Sequence, residues 1–399
     1  MLKQSFKLPR NNREDKRRPA DQNAAGQTGG ILSSNELRQL RNIDPGKFLQ
    51  KVLILAASLL IFVTGTLAQE HSLSLLCASL FAIPVMVILL EIVILRDTTS
   101  AAVKDATLWF GCTVVVAFGC VTSHSATTFL CQFGIGMMLA HGSELAHQAL
   151  HRTGTGIKRI DNLIGTVLCV VTGTSYSLFQ YTHHWHHRFV GSAADRESFG
   201  YAYDQLDSES RSRRCVGFIR HIFMIGHWST VWRRMWYGCT GHLEAKLVAE
   251  YPSIPKKVVK KAVIEYRLMA LSLLLIIACS ICYSTSIFMH IWLVPLIFAW
   301  GPTHAIIEMP EHWRCDNPDP AATSNTRSFK AGWFTAYLTN NNDCHVGHHH
   351  DGRVPMDKLN ALERMLHQRI GIKHLEESYP SFYLRFLKYL WSGQFKIEP

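Results

Sequence analysis

Six apolar stretches constrain the fold of this chain more than any other feature of its sequence. A helix needs roughly 20 apolar residues to cross the hydrocarbon core of a bilayer. The stretches form three pairs with short links inside each pair: 52–68 with 73–95, 106–121 with 126–140, and 262–283 with 287–300. The shorter members could instead pack as buried or half-spanning helices. The sequence therefore predicts an all-α integral membrane protein with about four to six transmembrane helices.

The basic residues predict which way these helices run. Lys and Arg near the ends of spans favour the cytoplasmic side. Residues 1–51 hold eleven of them, whereas the links 69–72, 122–125 and 284–286 hold none. Each pair of spans then returns the chain to the side of its N-terminus. We expect a multi-pass protein whose N-terminus and histidine clusters are all cytoplasmic.

The net charge of +11 does not indicate a nucleic-acid partner, because the basic residues flank apolar runs and form no nucleic-acid motif. Contact with anionic lipid headgroups accounts for them.

Two further segments suit a membrane surface. Residues 160–180 must be re-entrant or interfacial if the clusters on either side share one face. Trp228, Trp232 and Trp236 form one helical stripe, which suits either a headgroup helix or core packing.

Histidines carry the chemical signal, since 21 of the 399 residues are histidine and several are clustered. The pattern H-x-x-H-H occurs twice, as His183/His186/His187 and as His345/His348/His349. On a helix the first and fourth residues of this pattern share a face and the fifth lies beside them. A pH-sensing surface would not require the same spacing twice. The pattern therefore favours metal binding, for which neutral imidazole is a common ligand.

Two further positions extend the candidate metal site. His147 and His151 are four residues apart and share a helical face, with Glu144 placed to orient the His147 ring. We call this pair the first histidine box, and the patterns that begin at His183 and His345 the second and third boxes. His141 lies on another face and is the weaker alternative for the first box. His312 follows the sixth apolar run, with Glu308 four residues before it and Glu311 adjacent. These carboxylates either complete a metal shell or pair with Arg314, and the sequence leaves both open. The other histidines, including His184, His304 and His350, are interpreted as structural.

The residues from His147 to about His367 resemble the membrane-bound fatty acid desaturase superfamily, the histidine-box diiron proteins that also include hydroxylases and carotenoid ketolases. The most specific part is similar to the bacterial branch: Glu311-His312, then Asn325-Thr-Arg, then Asn340-Asn-Asn, then His345-x-x-His348-His349. Nine histidines exceed the four ligands of a single zinc site. The resemblance implies two iron ions bound by these nine: His147, His151, His183, His186, His187, His312, His345, His348 and His349.

The resemblance also implies O2 as co-substrate, an acyl lipid or acyl thioester as substrate, and a separate electron donor of ferredoxin or cytochrome b5 type. We expect a desaturase that introduces a double bond into a fatty acyl chain. A hydroxylase or ketolase acting on a lipid, alkane or carotenoid is the alternative on the same scaffold. A membrane metal-binding or transport protein would place ionisable ligands inside its spans, where Glu91 and His290 are nearly alone. A lipid-binding sensor without catalysis would keep the same histidines.

The predicted organisation is simple. Residues 1–50 form a disordered basic tail, residues 51–378 form the membrane domain with desaturase-like boxes, and residues 379–399 form a C-terminal tail or an interfacial helix.

Overall fold

A computed structural model describes residues 31–67, 124–191, 195, 206–283, 287–315, 325–372 and 377–395 of the chain. The regular structure of these residues is helical, which confirms the predicted all-α class. The α-helices are α1 Ser34–Leu40, α2 Pro45–Leu67, α3 His124–Leu150, α4 Lys158–Val171, α5 Tyr176–Phe189, α6 Arg211–Ile222, α7 Ile225–Cys239, α8 Leu243–Glu250, α9 Lys256–Cys282, α10 Gly301–His312, α11 Trp333–Leu338, α12 His345–His350, α13 Leu359–Ile370 and α14 Tyr379–Ser392. Two π-helical turns, Phe288–Leu293 and Leu296–Trp300, precede α10, and a 3-10 turn, Met356–Lys358, precedes α13.

Three of the described helical segments are long and apolar enough to cross a membrane: Ser34–Leu67, Lys256–Cys282 and Phe288–His312. They include all but one residue of each of the first, fifth and sixth predicted spans. The predicted spans 73–95 and 106–121 lie outside the described residues. The predicted span 126–140 lies in α3, which is not one of the three segments. Its residues from Cys131 onward are mostly buried by neighbouring helices, as expected for a short span that packs inside the bundle.

Helix α3 lies at the centre of the fold, between α2, α4 and the π-helical end of the last apolar segment. Two glycines allow these close approaches. A Cβ at Gly136 would overlap the side chain of Ala299, and a Cβ at Gly134 would lie 2.5 Å from the Phe62 ring. Because only hydrogen fits at both positions, the neighbouring helices contact the α3 backbone directly. This contact fixes the depth at which the C-terminal end of α3 presents its histidines.

Helices α4 and α5 meet at a bend of 100°, the geometry of a broken span or a re-entrant loop. The bend agrees with the expectation that residues 160–180 do not cross the membrane straight. Glu265 of α9, only 6% exposed, holds the bend in place. It accepts hydrogen bonds from the Ser175 hydroxyl at 2.6 Å, the Ser177 amide at 3.0 Å and the Ser177 hydroxyl at 2.6 Å. A carboxylate at a helix N-terminus is favoured by the orphan amides and the helix dipole.

The predicted N-terminal boundary requires a correction, because residues 31–50 are described and include the helix Ser34–Leu40 and the start of α2 at Pro45. Helix α1 begins with a capping box between Ser33 and Glu36, and Glu36 also pairs with Arg369 of α13. Arg41 pairs with the fully buried Asp351, which follows the third histidine box. These ion pairs to distant residues stabilise a segment whose local composition alone predicts disorder. Residues 1–30 lie outside the described part of the chain.

The tryptophan stripe and the described part of the predicted C-terminal tail are helical as well. In α7, Trp228 contacts the buried Trp300, whereas Trp232 and Trp236 are 46% and 67% exposed, so the stripe divides between core and surface. In α14, Phe382 and Phe386 are fully buried against Trp313, while the opposite face is exposed. The division of the chain at residues 378 and 379 stays a prediction.

Candidate metal centre

The first box lies at the C-terminal end of α3. His147 is 4% exposed, and the ring of His151, one turn later, lies 5.3 Å from it between centroids. The spacing of four residues thus places both rings on one face, as predicted. His141, the alternative, lies elsewhere, and its ring stacks on Tyr337 at 4.3 Å. The structure therefore brings His151, and not His141, to the other histidine boxes.

The second and third boxes each occupy one helix. His183, His186 and His187 lie on α5, and His345, His348 and His349 lie on the short α12. Asn340 and Asn341 before α12 have left-handed backbones, with φ of 52° and 64°. Asparagine tolerates this conformation better than most residues. The asparagine run therefore makes the turn that starts the third box.

His312 is the last residue of α10, a helix that continues through Pro310. Proline lacks the amide that would bond the carbonyl of Ile306 four residues earlier. The hydroxyl of Tyr383 on α14 donates to that carbonyl at 2.8 Å instead. This replacement lets the helix remain regular up to His312.

The nine predicted ligands divide into two groups. Group one contains the five histidines His147, His151, His183, His187 and His348. Their Nε2 atoms converge: His147 Nε2 lies 2.8 Å from His183 Nε2 and 2.9 Å from His348 Nε2. His183 Nε2 lies 3.0 Å from His151 Nε2, and His187 Nε2 lies 3.0 Å from His348 Nε2.

Group two contains the remaining four histidines, His186, His312, His345 and His349. The Nε2 atom of His312 lies 2.8 Å from that of His345 and 3.3 Å from that of His186. The His349 ring is 4.6 Å from the His345 ring and 4.9 Å from the His186 ring, between centroids. The structure thus brings all nine candidates together, as two adjoining nitrogen-rich groups.

Polar side chains bind the outer nitrogens of three of these rings. Asp195 accepts from Nδ1 of His186 at 2.9 Å, Glu144 from Nδ1 of His147 at 3.3 Å, and Asn342 from Nδ1 of His345 at 3.1 Å. An acceptor at Nδ1 fixes the tautomer that leaves the Nε2 lone pair for a metal. The orienting role predicted for Glu144 is consistent with this contact, and the asparagine before the third box has the same role.

Burial keeps the imidazoles of the third box, His345, His348 and His349, neutral by lowering their pKa values. It lowers the pKa of His348 well below its usual range, and neighbouring imidazoles, first His147, lower it further. The pKa values of His345 and His349 are lowered for the same reasons. Neutral histidine is the form that binds metals.

The donor set fits two metal ions. A neutral ring whose Nδ1 carries the proton has a lone pair at Nε2. Because the Nε2 atoms of these rings face one another, their lone pairs repel, and a cation between them removes that repulsion. His349 supports the same conclusion in group two, since neither of its ring nitrogens has a hydrogen-bond partner in the described part of the chain although the residue is buried. Buried polar atoms of this kind call for an unseen ligand.

Sequence reasoning missed one part of the centre. Glu144, His304 and Glu308 come within 4.8 Å of one another, and all three line a small cavity beside both groups. His304 had been interpreted as structural. Arg314, the alternative partner of Glu308, pairs with Asp207 at 2.8 Å. His304, Glu308 and His312 recur every four residues along α10, and this spacing could have placed them on one helical face. Pro310 lies within the same segment and makes a continuous helix unexpected.

The cavity shows where a reacting group can approach both groups. Its lining consists of Ser143, Glu144, His147, Phe179, His183, His186, His304, Glu308, His312 and His345. It therefore touches group one, group two and the carboxylates together.

Comparison with known proteins agrees with this geometry. A family model described as fatty acid desaturase matches residues 123–381, well over half of the chain. The chain belongs to the fatty acid desaturase family. The matched segment starts one residue before α3 and includes all nine histidines. A search of curated proteins finds no match.

Family membership establishes the general class of activity. This member of the desaturase family is an oxidoreductase of the lipid desaturase or hydroxylase type. Its apolar helices and the family together make it an all-α membrane protein, and its histidine groups are able to bind metal.

Proposed function

We propose that this protein introduces a double bond into a fatty acyl chain, using two iron ions, O2 and electrons from a separate donor protein. The observation that carries the proposal is the convergence of nine histidines, six of them buried and three half-buried, into groups of five and four within the desaturase-family segment. Two bound irons with O2 would supply an oxidant strong enough to take hydrogen from an unactivated C–H bond, which side-chain acids and bases cannot do.

The chain's own residues would contribute binding, orientation and exclusion of water. Group one would hold one ion and group two the other. Glu144, Asp195 and Asn342 would keep the rings in the metal-binding tautomer. Burial of both groups would keep bulk water from the reacting methylene groups.

The electron balance requires a donor. Formation of one double bond removes two hydrogen atoms from the acyl chain, and the donor supplies two further electrons with two protons from solvent. Together these reduce one O2 to two molecules of water. We further propose the orientation that the basic residues predict, with the N-terminus and the histidine groups on the cytoplasmic side.

Fatty acid profiling of a host that expresses the chain tests the proposal. Mass spectrometry of the wild type should show a new unsaturated acid that is absent from cells expressing His348→Ala. His242→Ala, which changes an exposed histidine outside both groups, is the matched control and should retain the product. A hydroxylated product would instead establish the alternative chemistry. Product formation by His348→Ala equal to the wild type would contradict the assignment of the centre.

A further inference from the structure

An aromatic cluster links group two to the C-terminal helix. Trp313 follows His312 directly and is fully buried. Its ring lies 4.9 Å from Phe386, 5.3 Å from Tyr389 and 4.7 Å from Phe395, between centroids. A candidate metal ligand is thus bonded through the backbone to a ring that contacts α14.

The outer end of this cluster reaches the protein surface at Arg314. Its guanidinium lies over the Trp313 ring at 4.8 Å and over the Tyr389 ring at 4.6 Å. The Arg314 side chain is 30% exposed. Among the described residues, the buried Trp313 ring thus connects the partly exposed Arg314 to the backbone next to His312.

Helix α14 and the adjoining α6 also carry an exposed apolar patch. Leu384, Leu387 and Trp391 of α14 are 63%, 52% and 71% exposed and recur along one helical face. Val216 and Ile219 of α6 are 55% and 54% exposed. We name these five residues the α6/α14 patch. Contiguous exposed apolar surface usually marks an interaction site.

Positive charge surrounds the patch. The Arg211 guanidinium lies over the Trp391 ring at 4.1 Å. Arg213, Arg220 and Lys388 are exposed on the same two helices. An apolar centre with an arginine-rich rim is typical of protein interfaces, and its charge would attract a partner with acidic side chains.

We propose that the α6/α14 patch docks a small acidic protein that carries one electron. The inference rests on the proposed function, which requires two electrons from a separate donor. At each encounter the reduced carrier loses one electron to the centre, and two encounters supply the pair that one turnover consumes. Helix α14 carries the patch on its exposed face and the rings that contact Trp313 on its buried face, so one helix separates the patch from the residue that follows His312. This position and the surrounding positive charge favour an acidic carrier as its occupant.

The first test measures binding without any chemistry. Metal-free protein in detergent is titrated with an acidic [2Fe–2S] ferredoxin as the probe, and the dissociation constant is measured at low and at physiological ionic strength. We expect binding that weakens with salt. The double variant Arg211→Glu/Arg213→Glu should bind about tenfold more weakly or worse. Arg364→Glu, which reverses an exposed charge on α13, is the control and should bind as the wild type does.

The same titration in lipid nanodiscs separates a carrier from a membrane contact. A docking surface for a soluble carrier stays accessible in the nanodisc, so the dissociation constant should match that in detergent. Binding in detergent that disappears in nanodiscs would mean that lipid covers the patch, and would overturn the proposal. Absence of binding by the wild type, or equal binding by the charge-reversed variant, would also overturn it.

Reduction by dithionite distinguishes failure of this inference from failure of the proposed function. Dithionite supplies electrons without a carrier protein, so a single turnover driven by it tests the chemistry alone. We would measure the product formed in this way by the iron-loaded wild type and by the double variant. Loss of ferredoxin-driven turnover in the double variant, with dithionite-driven product retained, is the result expected for a docking surface. If the wild type forms no product with dithionite, the result counts against the proposed function. The binding measurement then still decides whether the patch docks the carrier.

Discussion

The rings of His187 and His349 are stacked, with centroids 4.2 Å apart and planes 18° apart. His187 belongs to group one and His349 to group two, so this contact is where the two groups adjoin. The groups are nevertheless built from different Nε2 atoms. Each is therefore expected to bind its own metal ion.

Removing one histidine from each group should affect the two ions separately. His348→Ala removes a ligand of group one, and His345→Ala removes a ligand of group two. Each variant should retain about one iron per chain, because the other group keeps its full set of donors. Metal analysis of the purified variants measures this, with the exposed His242→Ala as control. Complete loss of iron from both variants would show that the groups do not bind independently.

The contact between Asp195 and Nδ1 of His186 should strengthen metal binding without touching the metal. Asp195→Ala should lower the affinity for iron by about 10–100-fold, the usual effect of losing a partner of a ligating histidine. Competition with a chelator gives the affinity. Glu209→Ala, at an exposed residue, should have no effect. Unchanged affinity in Asp195→Ala would mean that the ring is oriented by its packing alone.

Glu265 should stabilise the bend that positions the second box. Its replacement by Ala leaves the donors of Ser175 and Ser177 without their acceptor and should cost about 1–3 kcal/mol. Thermal unfolding in detergent should therefore begin at a lower temperature, with partial recovery in Glu265→Gln, whose amide oxygen still accepts. Glu244→Ala on the exposed side of α8 is the control. A wild-type unfolding temperature in Glu265→Ala would contradict this role.

Two glycines offer a matched steric test. A Cβ at Gly352 would lie 2.9 Å from the His151 ring, whereas a Cβ at Gly332 would meet nothing within 4 Å. Gly352→Ala should displace His151 and reduce the metal bound by group one, and Gly332→Ala should not. Iron content and unfolding temperature report both effects. Equal behaviour of the two variants would show that the His151 ring can shift without loss of the site.

The metal-free protein should lose stability in mild acid. Burial holds the pKa values of His345, His348 and His349 well below their ordinary value of 6.5. Below about pH 6.5 the unfolded chain takes up protons at these residues and the folded chain does not, so the free energy of unfolding decreases as the pH falls. The unfolding temperature of apoprotein should drop between about pH 7 and about pH 5.5. A flat profile would contradict the burial of these rings as neutral groups.

Local spacing explains what could be predicted from the sequence. His183 and His345 each begin an H-x-x-H-H pattern, and one helical turn is enough to place such rings together. The division into groups of five and four depends on how α3, α5, α10 and α12 pack, which no spacing reveals. His304 lies eight residues before His312 with Pro310 between them, and the sequence does not indicate that α10 continues through this proline. The hydroxyl of Tyr383, distant in sequence, satisfies the carbonyl that Pro310 leaves unbonded.

Long-range ion pairs explain the other main difference. The polar, basic composition of residues 1–50 predicts disorder when it is considered alone. Arg41 pairs with Asp351 and Glu36 pairs with Arg369, in both cases more than 300 residues away in the chain. These contacts hold α1 against the rest of the protein. The capping box of Ser33 and Glu36 follows from their spacing in the sequence. The distant partners Asp351 and Arg369 do not.

The number of iron ions bound per chain tests the central claim most directly. Wild-type protein purified under anaerobic conditions and reconstituted with ferrous iron should contain two tightly bound irons per chain by elemental analysis, one for each group of histidines. A ratio of one, or a preference for a single zinc ion over iron, would contradict a two-metal centre built from these nine residues.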